Sequence, residues 1–249
     1  MRATEDRPIR AGLLPLLLLA GALGGCAVTA PPADPVPALA PDTPAGMPQW
    51  WIVRVRMGWH DRAQVDWHLD ALLAEQVFAP LLRRLGPALP LWRFHRRAAP
   101  DDTGHQLRFL VYADAAVAAR VIAALRASAM LDALTRAGHV EQVILPAAPE
   151  GESVGATSDP AWPEPIQASW PHFAMGVSRN WLSLIEQVGA QFEPPPRGDL
   201  AALVEHYRQV NAQVDALWQT HAQHAWLHHL NALFGYRPIL LRERRLMRY

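Results

Sequence analysis

Four histidines, His221, His224, His228 and His229, fall within ten residues near the end of this 249-residue chain. His224 and His228 have the i,i+4 spacing by which one helix face presents two imidazoles to a metal ion. No HExxH pattern accompanies them and no carboxylate lies inside the cluster, so a metal would need a ligand from elsewhere. A second chemistry is proton handling in a pocket, because an imidazole changes charge near neutral pH and needs a partner at each ring nitrogen. The third reading is a solvated helix face. Leu203, Tyr207, Val210, Val214 and Leu217 form an apolar stripe that runs into His221, His224 and His228 at helical spacing. The stripe can also drift through Trp218, Ala222, Ala225, Trp226 and Leu230, which leaves the imidazoles at the solvent edge. All three readings stand at this point.

Other candidates carry less chemistry. Ser169 to Gln187 is dense in aromatic and polar residues, and Trp170, His172, Phe173, Met175 and Trp181 either line a cleft or plug an interface between sheet and helix. Ser178 and Ser183 lack the context of a nucleophile elbow. Asp101 and Asp102 sit in "APDDTG" and read as turn formers. The tail "RERRLMRY", Arg242 to Tyr249, is either solvated or drawn to anionic lipid heads.

The elements that must position these residues follow from periodicity. "WWIVRVRMG" alternates as a half-buried strand. "DRAQVDWHLDALLAEQVFAPLLRRLG" reads as a helix with Asp61 as its N-cap, ending at Gly86. "LWRFHRRA" and "GHQLRFLVYA" flank the Asp-rich turn as a hairpin. "DAAVAARVIAALRASAMLDALTRAG" reads as one long helix, and "HVEQVILP" as a last strand. This β-α-β-β-α-β order predicts an α+β fold. It is a split βαβ, ferredoxin-like antiparallel sheet with its helices on one face, followed by a helical C-terminal part. A Pro/Gly-rich loop, 147–165, leads into that part. Its expected helices are a segment around Ser178–Val188 and a long helix from Asp199 to about Leu233.

The first residues read as an address. Arg2, Arg7 and Arg10 precede "AGLLPLLLLAGALGG", an apolar run too short for an ordinary transmembrane helix. "LGGC" at its end matches the bacterial lipobox. It implies cleavage before Cys26 and lipidation of that thiol, with residues 1–25 as signal peptide and 26–48 as a Pro/Ala-rich tether. Ala27, rather than Asp, points to the outer membrane, facing the periplasm. Cys26 is the only cysteine, so no internal disulfide supports the fold. The globular part divides into an α/β half, 49–146, and a loop and helical half, 147–249, of one domain. With 23 basic and 23 acidic residues, zero formal charge argues against nonspecific nucleic-acid binding.

Several stretches together resemble the C-terminal domain of lantibiotic dehydratases, which also occurs as thiopeptide-type bacteriocin biosynthesis proteins. They are the strand "WWIVRVRM", the helix end "VFAPLLRRL", the hairpin "LWRFHRR…GHQLRFLVY", the helix "VIAALRASAMLDALTRAGHVEQV" and the tail "LHHLNALFG". They cover most of 50–235. The resemblance implies elimination of glutamate from glutamylated Ser or Thr in a peptide. Arginines on the sheet would hold the leaving carboxylate, and a histidine near the end would move the proton. The matching arginines are Arg96 in "FHRR" and Arg108 in "QLRF", whose guanidinium forks suit a carboxylate. The tail departs from the family's His-Met-x-x-Asn-Arg pattern. Asn231 is kept, but Leu227 and Ala232 stand where the His and Arg would be. His228 and His229 lie beside the expected position, and helix neighbours point about 100° apart.

The sequence therefore leads to a lipid-anchored envelope protein that binds a peptide or small anionic ligand without catalysis and without a cofactor. Arg96, Arg108, His221, His224, His228 and Asn231 are the expected ligand-binding residues. The rival readings are an elimination enzyme using Arg96, Arg108 and His228 or His229, and an envelope component working through protein contacts.

Overall fold

Strand β1, Gln49–Met57, alternates as its sequence demands. Val53, Val55 and Met57 enter the main core, while Trp50 and Ile52 face the other way. The structure is a computed structural model and describes residues 46–61 and 63–237. The expected signal peptide, Cys26, most of the expected tether and the basic tail lie outside the described residues.

Helix α1, Trp67–Leu73, begins five residues later than an N-cap at Asp61 suggests, with Asp66 in the cap position. Asp61 instead closes a local turn, its Oδ1 accepting from the Ala63 N–H at 2.9 Å. A π-helical turn, Ala74–Phe78, joins α1 to α2, Ala79–Leu85. Strands β2, Leu91–Ala98, and β3, His105–Ala113, form the hairpin. Its turn is held by Asp101, which accepts from the N–H groups of Thr103 and Gly104, and Gly104 adopts φ 64°.

The expected second helix is two helices. α3, Ala115–Arg126, is capped by Asp114, and α4, Ala129–Arg136, by Ser128, whose Oγ accepts from the Leu131 N–H at 3.3 Å. A serine that offers the backbone a side-chain acceptor ends one helix and starts the next. Strand β4, Val140–Ile144, completes the sheet. The order is β2-β3-β1-β4 with every neighbour antiparallel, the ferredoxin-like arrangement. Leu69, Leu72, Phe78, Val117, Val121, Leu131 and Leu134 share one core with Val55, Phe94, Leu107 and Phe109, so α1 to α4 cover one face.

The C-terminal half is helical, with two corrections. Helix α5, Glu164–Gly189, starts well before Ser178 and carries Pro171 inside it. It runs along the β2 edge, where Ser178 Oγ accepts from the Phe94 N–H at 3.0 Å and donates to the Ala174 carbonyl at 2.7 Å. That blunts an otherwise open strand edge. α6, Leu200–Leu217, is capped by Asp199 and packs on α1 and α5. A π-turn, Trp218–Ala222, then separates α6 from α7, Gln223–Leu233, where one continuous helix was expected. No helix among the described residues is long and apolar enough to cross a membrane.

Candidate functional site

Arg96 and Arg108 do not meet. In the β2–β3 register Arg108 stands opposite His95, and Arg96 opposite Leu107. Paired residues share a face and neighbours alternate, so the two guanidiniums leave opposite sides of the sheet.

Arg96 enters the helix-covered side. Its Nε donates to Asp70 Oδ2 at 2.8 Å and its Nη2 to the Trp67 carbonyl at 2.9 Å. The guanidinium lies between the rings of Trp67 and Trp181, 4.8 and 4.7 Å from their centroids. Asp70 is 0 % exposed and also receives His105 Nε2 at 3.1 Å, with His105 itself buried. Burial opposes the charge on Asp70. Arg96, followed by the hydrogen bond from His105, overrides it and holds the carboxyl below the usual range. Arg96 is thus committed to a buried ion pair that ties β2 to α1, with β3 joined through His105.

Arg108 lies on the uncovered side, in a grid of basic groups. Opposite pairs His95–Arg108 and Arg108–Arg54 form one row, and Arg97–Gln106 and Gln106–Arg56 the next. Arg93 occupies the same face one step earlier on β2. Of these five arginines, three have carboxylate partners: Arg54 with Glu150, Arg56 with Glu141 at 3.8 Å, and Arg97 with Asp101.

Arg93 and Arg108 have none among the described residues. Arg93 is 8 % exposed, donates to the Thr157 carbonyl at 2.8 Å, and leaves its Nε unbonded. Arg108 donates from Nε to Gln106 Oε1 at 2.6 Å, and its terminal nitrogens make no hydrogen bond among the described residues. Burial, then Arg54 and Arg97, push the Arg108 pKa down against the smaller opposing pull of Glu150, and burial alone lowers that of Arg93. His95 is lowered by desolvation, then by Arg108, Arg93 and Arg97, which favours its neutral form. Like charges directly across a sheet destabilise it. The arrangement is one an incoming anion would relieve.

The upper part of this face is apolar and closed. Trp50, Ile52, Leu91 and Leu110 pack under Val154 and Met175, and the loop is pinned by Trp50 Nε1, which donates to the carbonyls of Ser153 and Val154. Arg93 lies under this cover, held by the Thr157 carbonyl, and the rest of the basic grid begins where the cover stops.

The histidine cluster is not part of either face. His221, His224, His228 and His229 are all exposed, as are Trp226, Leu227, Leu233 and Phe234 around them. α7 has no buried residue. His224 and His228 stack at 5.8 Å, but no group of three metal-ligating side chains occurs among the described residues. Asn231 is half-buried in the same helix. The pocket expected from Arg96, Arg108, His221, His224, His228 and Asn231 therefore does not form. The stripe of α6 ends with buried Val214 and half-buried Leu217, and the π-turn follows at Trp218.

Of the aromatic segment, Trp181 and Met175 pack inward, while Trp170 stacks with Trp162 and Phe173 near the surface. Ser178 is engaged by backbone at both its donor and its acceptor, which removes it as a nucleophile. Compared with protein-family models, curated proteins and solved structures, the chain matches none.

Proposed function

We propose that this chain is an envelope-anchored binding module that takes a small anionic ligand, or the carboxylate of a peptide, on the uncovered face of its sheet. The lipobox at Cys26 supports the anchoring, with the outer membrane facing the periplasm as its place. The observation that carries the binding reading is Arg108 opposite His95, with no carboxylate at ion-pair distance and no hydrogen bond at its terminal nitrogens among the described residues. A guanidinium with free terminal nitrogens grips carboxylate or phosphate through two parallel hydrogen bonds. No group within this grid is arranged as a nucleophile, so the reading is noncatalytic. The elimination implied by the resemblance would use Arg96 together with Arg108, and Arg96 is held by Asp70 on the other side of the sheet.

The test is calorimetry of the full chain with inorganic phosphate and with glutarate at low salt. We expect saturable binding of at least one anion, weakened about tenfold or more in Arg108→Gln, a loss of roughly 1.4 kcal/mol or more. Binding that is equal in both proteins would refute the assignment.

A second reading, a part working through protein contacts, is supported by α7, which exposes Trp226, Leu227, Leu233 and Phe234 beyond the packed core. Trp226→Ser with Leu227→Ser separates the two readings. It should abolish partner cross-linking in cells and leave anion affinity unchanged.

A further inference from the structure

We infer that a groove of about 710 Å³ between α4, α5 and α6 is a separate binding site for a small organic cation with an apolar body. It is independent of the arginine face. Its floor is polar: Gln76 Nε2 donates to Tyr207 Oη at 2.6 Å, and Tyr207 Oη donates to Glu75 Oε2 at 2.9 Å. Glu75 Oε1 makes no hydrogen bond among the described residues. Glu75 and Gln76 both sit in the π-turn Ala74–Phe78. Such a turn inserted in an α-helix often marks a functional position, and this one brings two consecutive polar side chains to a single hydroxyl.

Gly189 keeps the space beside them open. A Cβ at that position would lie 3.6 Å from Glu75 Oε2 and 3.8 Å from His206 Nε2, so the carboxyl and the imidazole look into one gap. The walls are apolar, from Met130, Phe192, Pro195, Leu200 and Leu203. A pocket with apolar walls and few converging polar groups is the usual form of a small-molecule site.

The charges around it choose the ligand. Glu75, Glu186 and Asp199 line the groove against Arg197 and His206. Arg83 reaches Glu186 at 3.2 Å from outside, and Asp199 is occupied as a helix cap, which leaves Glu75 to meet a ligand. Burial raises the Glu75 pKa, and Glu186 adds to it. An ammonium group next to Glu75 reverses that cost by supplying the opposite charge. The aromatic face of Phe192 in the wall also suits a cation.

The test uses three probes of matched shape, benzylammonium, benzyl alcohol and phenylacetate, titrated into the full chain by calorimetry. The inference predicts that benzylammonium binds at least tenfold more tightly than either of the others. Gly189→Ala makes only ordinary contacts and improves helix propensity. It should leave the Tm unchanged or raised while weakening benzylammonium at least fivefold. Glu75→Gln should erase the preference for the cation over the alcohol. Equal binding of alcohol and cation, preference for phenylacetate, or an unchanged affinity in Gly189→Ala with Tm intact would each overturn the inference.

Discussion

Arg96 and Arg108 stand on neighbouring strands and differ by one step of the pleat, and that step decides what each can do. Arg96 faces the helices, where its charge is matched by Asp70, its fork is filled and its plane is held between two indoles. Arg108 faces outward, where His95, Arg54 and Arg97 surround it, and the one carboxylate acting on it, Glu150, is paired with Arg54. A cation whose charge is answered by a buried carboxylate is structure. A cation whose neighbours repel it, at a surface, is available for a ligand. The sheet thus separates a face that holds the fold from a face that holds charge in reserve.

The contrast breaks most readily at Arg96. Arg96→Ala leaves Asp70 buried without its partner, and removing one member of a buried pair costs about 3–5 kcal/mol. Urea denaturation should show a loss of that size; a loss below about 1 kcal/mol would mean the pair contributes little. Ser178→Ala comes next. It leaves the buried Phe94 N–H unpaired, at a cost of about 1–3 kcal/mol, read from the same denaturation.

The acid limb of stability gives a third check. The folded pKa of Asp70 is depressed, so its contribution is full above the unfolded value, about 3.9, and falls away as pH drops below it. Asp70→Asn should flatten the dependence of stability on pH in that acid window and lower stability at neutral pH. An unaltered acid limb would remove Asp70 from the account. The smallest effect belongs to Arg108. Arg108→Ala should cost no more than about 1 kcal/mol, since it breaks no ion pair and loses only the hydrogen bond to Gln106. A loss rivalling that of Arg96 would erase the contrast between the faces.

Much of the architecture was legible in the sequence. Alternation in "WWIVRVRM", the Asp-rich turn and the glycine at 138 place the strands and their order. Helix boundaries were harder to read, because Ser128 and the two π-turns act through local hydrogen bonding that a spacing of apolar residues does not register. The site was misread for a specific reason. Arginine type marked Arg96 and Arg108 as partners, but the parity of Trp92, Phe94 and Arg96 against Arg93, His95 and Arg97 already puts them on opposite faces. Asp70 gave a weaker signal, as a carboxylate on the apolar side of α1 that required a buried cation. Glu75 and Tyr207 lie 132 residues apart, and only the packing of α6 brings them together.

Whether the uncovered face binds an anion between His95 and Arg108 can be read by titrating the His95 imidazole by NMR with and without phosphate. The imidazole starts below its ordinary pKa because burial, and after it the guanidiniums of Arg108, Arg93 and Arg97, disfavour its charged form. A bound anion places the opposite charge beside it, so the His95 pKa should rise by about one pH unit at saturation, and Arg108→Gln should blunt the rise. A His95 titration curve that does not move when phosphate is added would contradict the account.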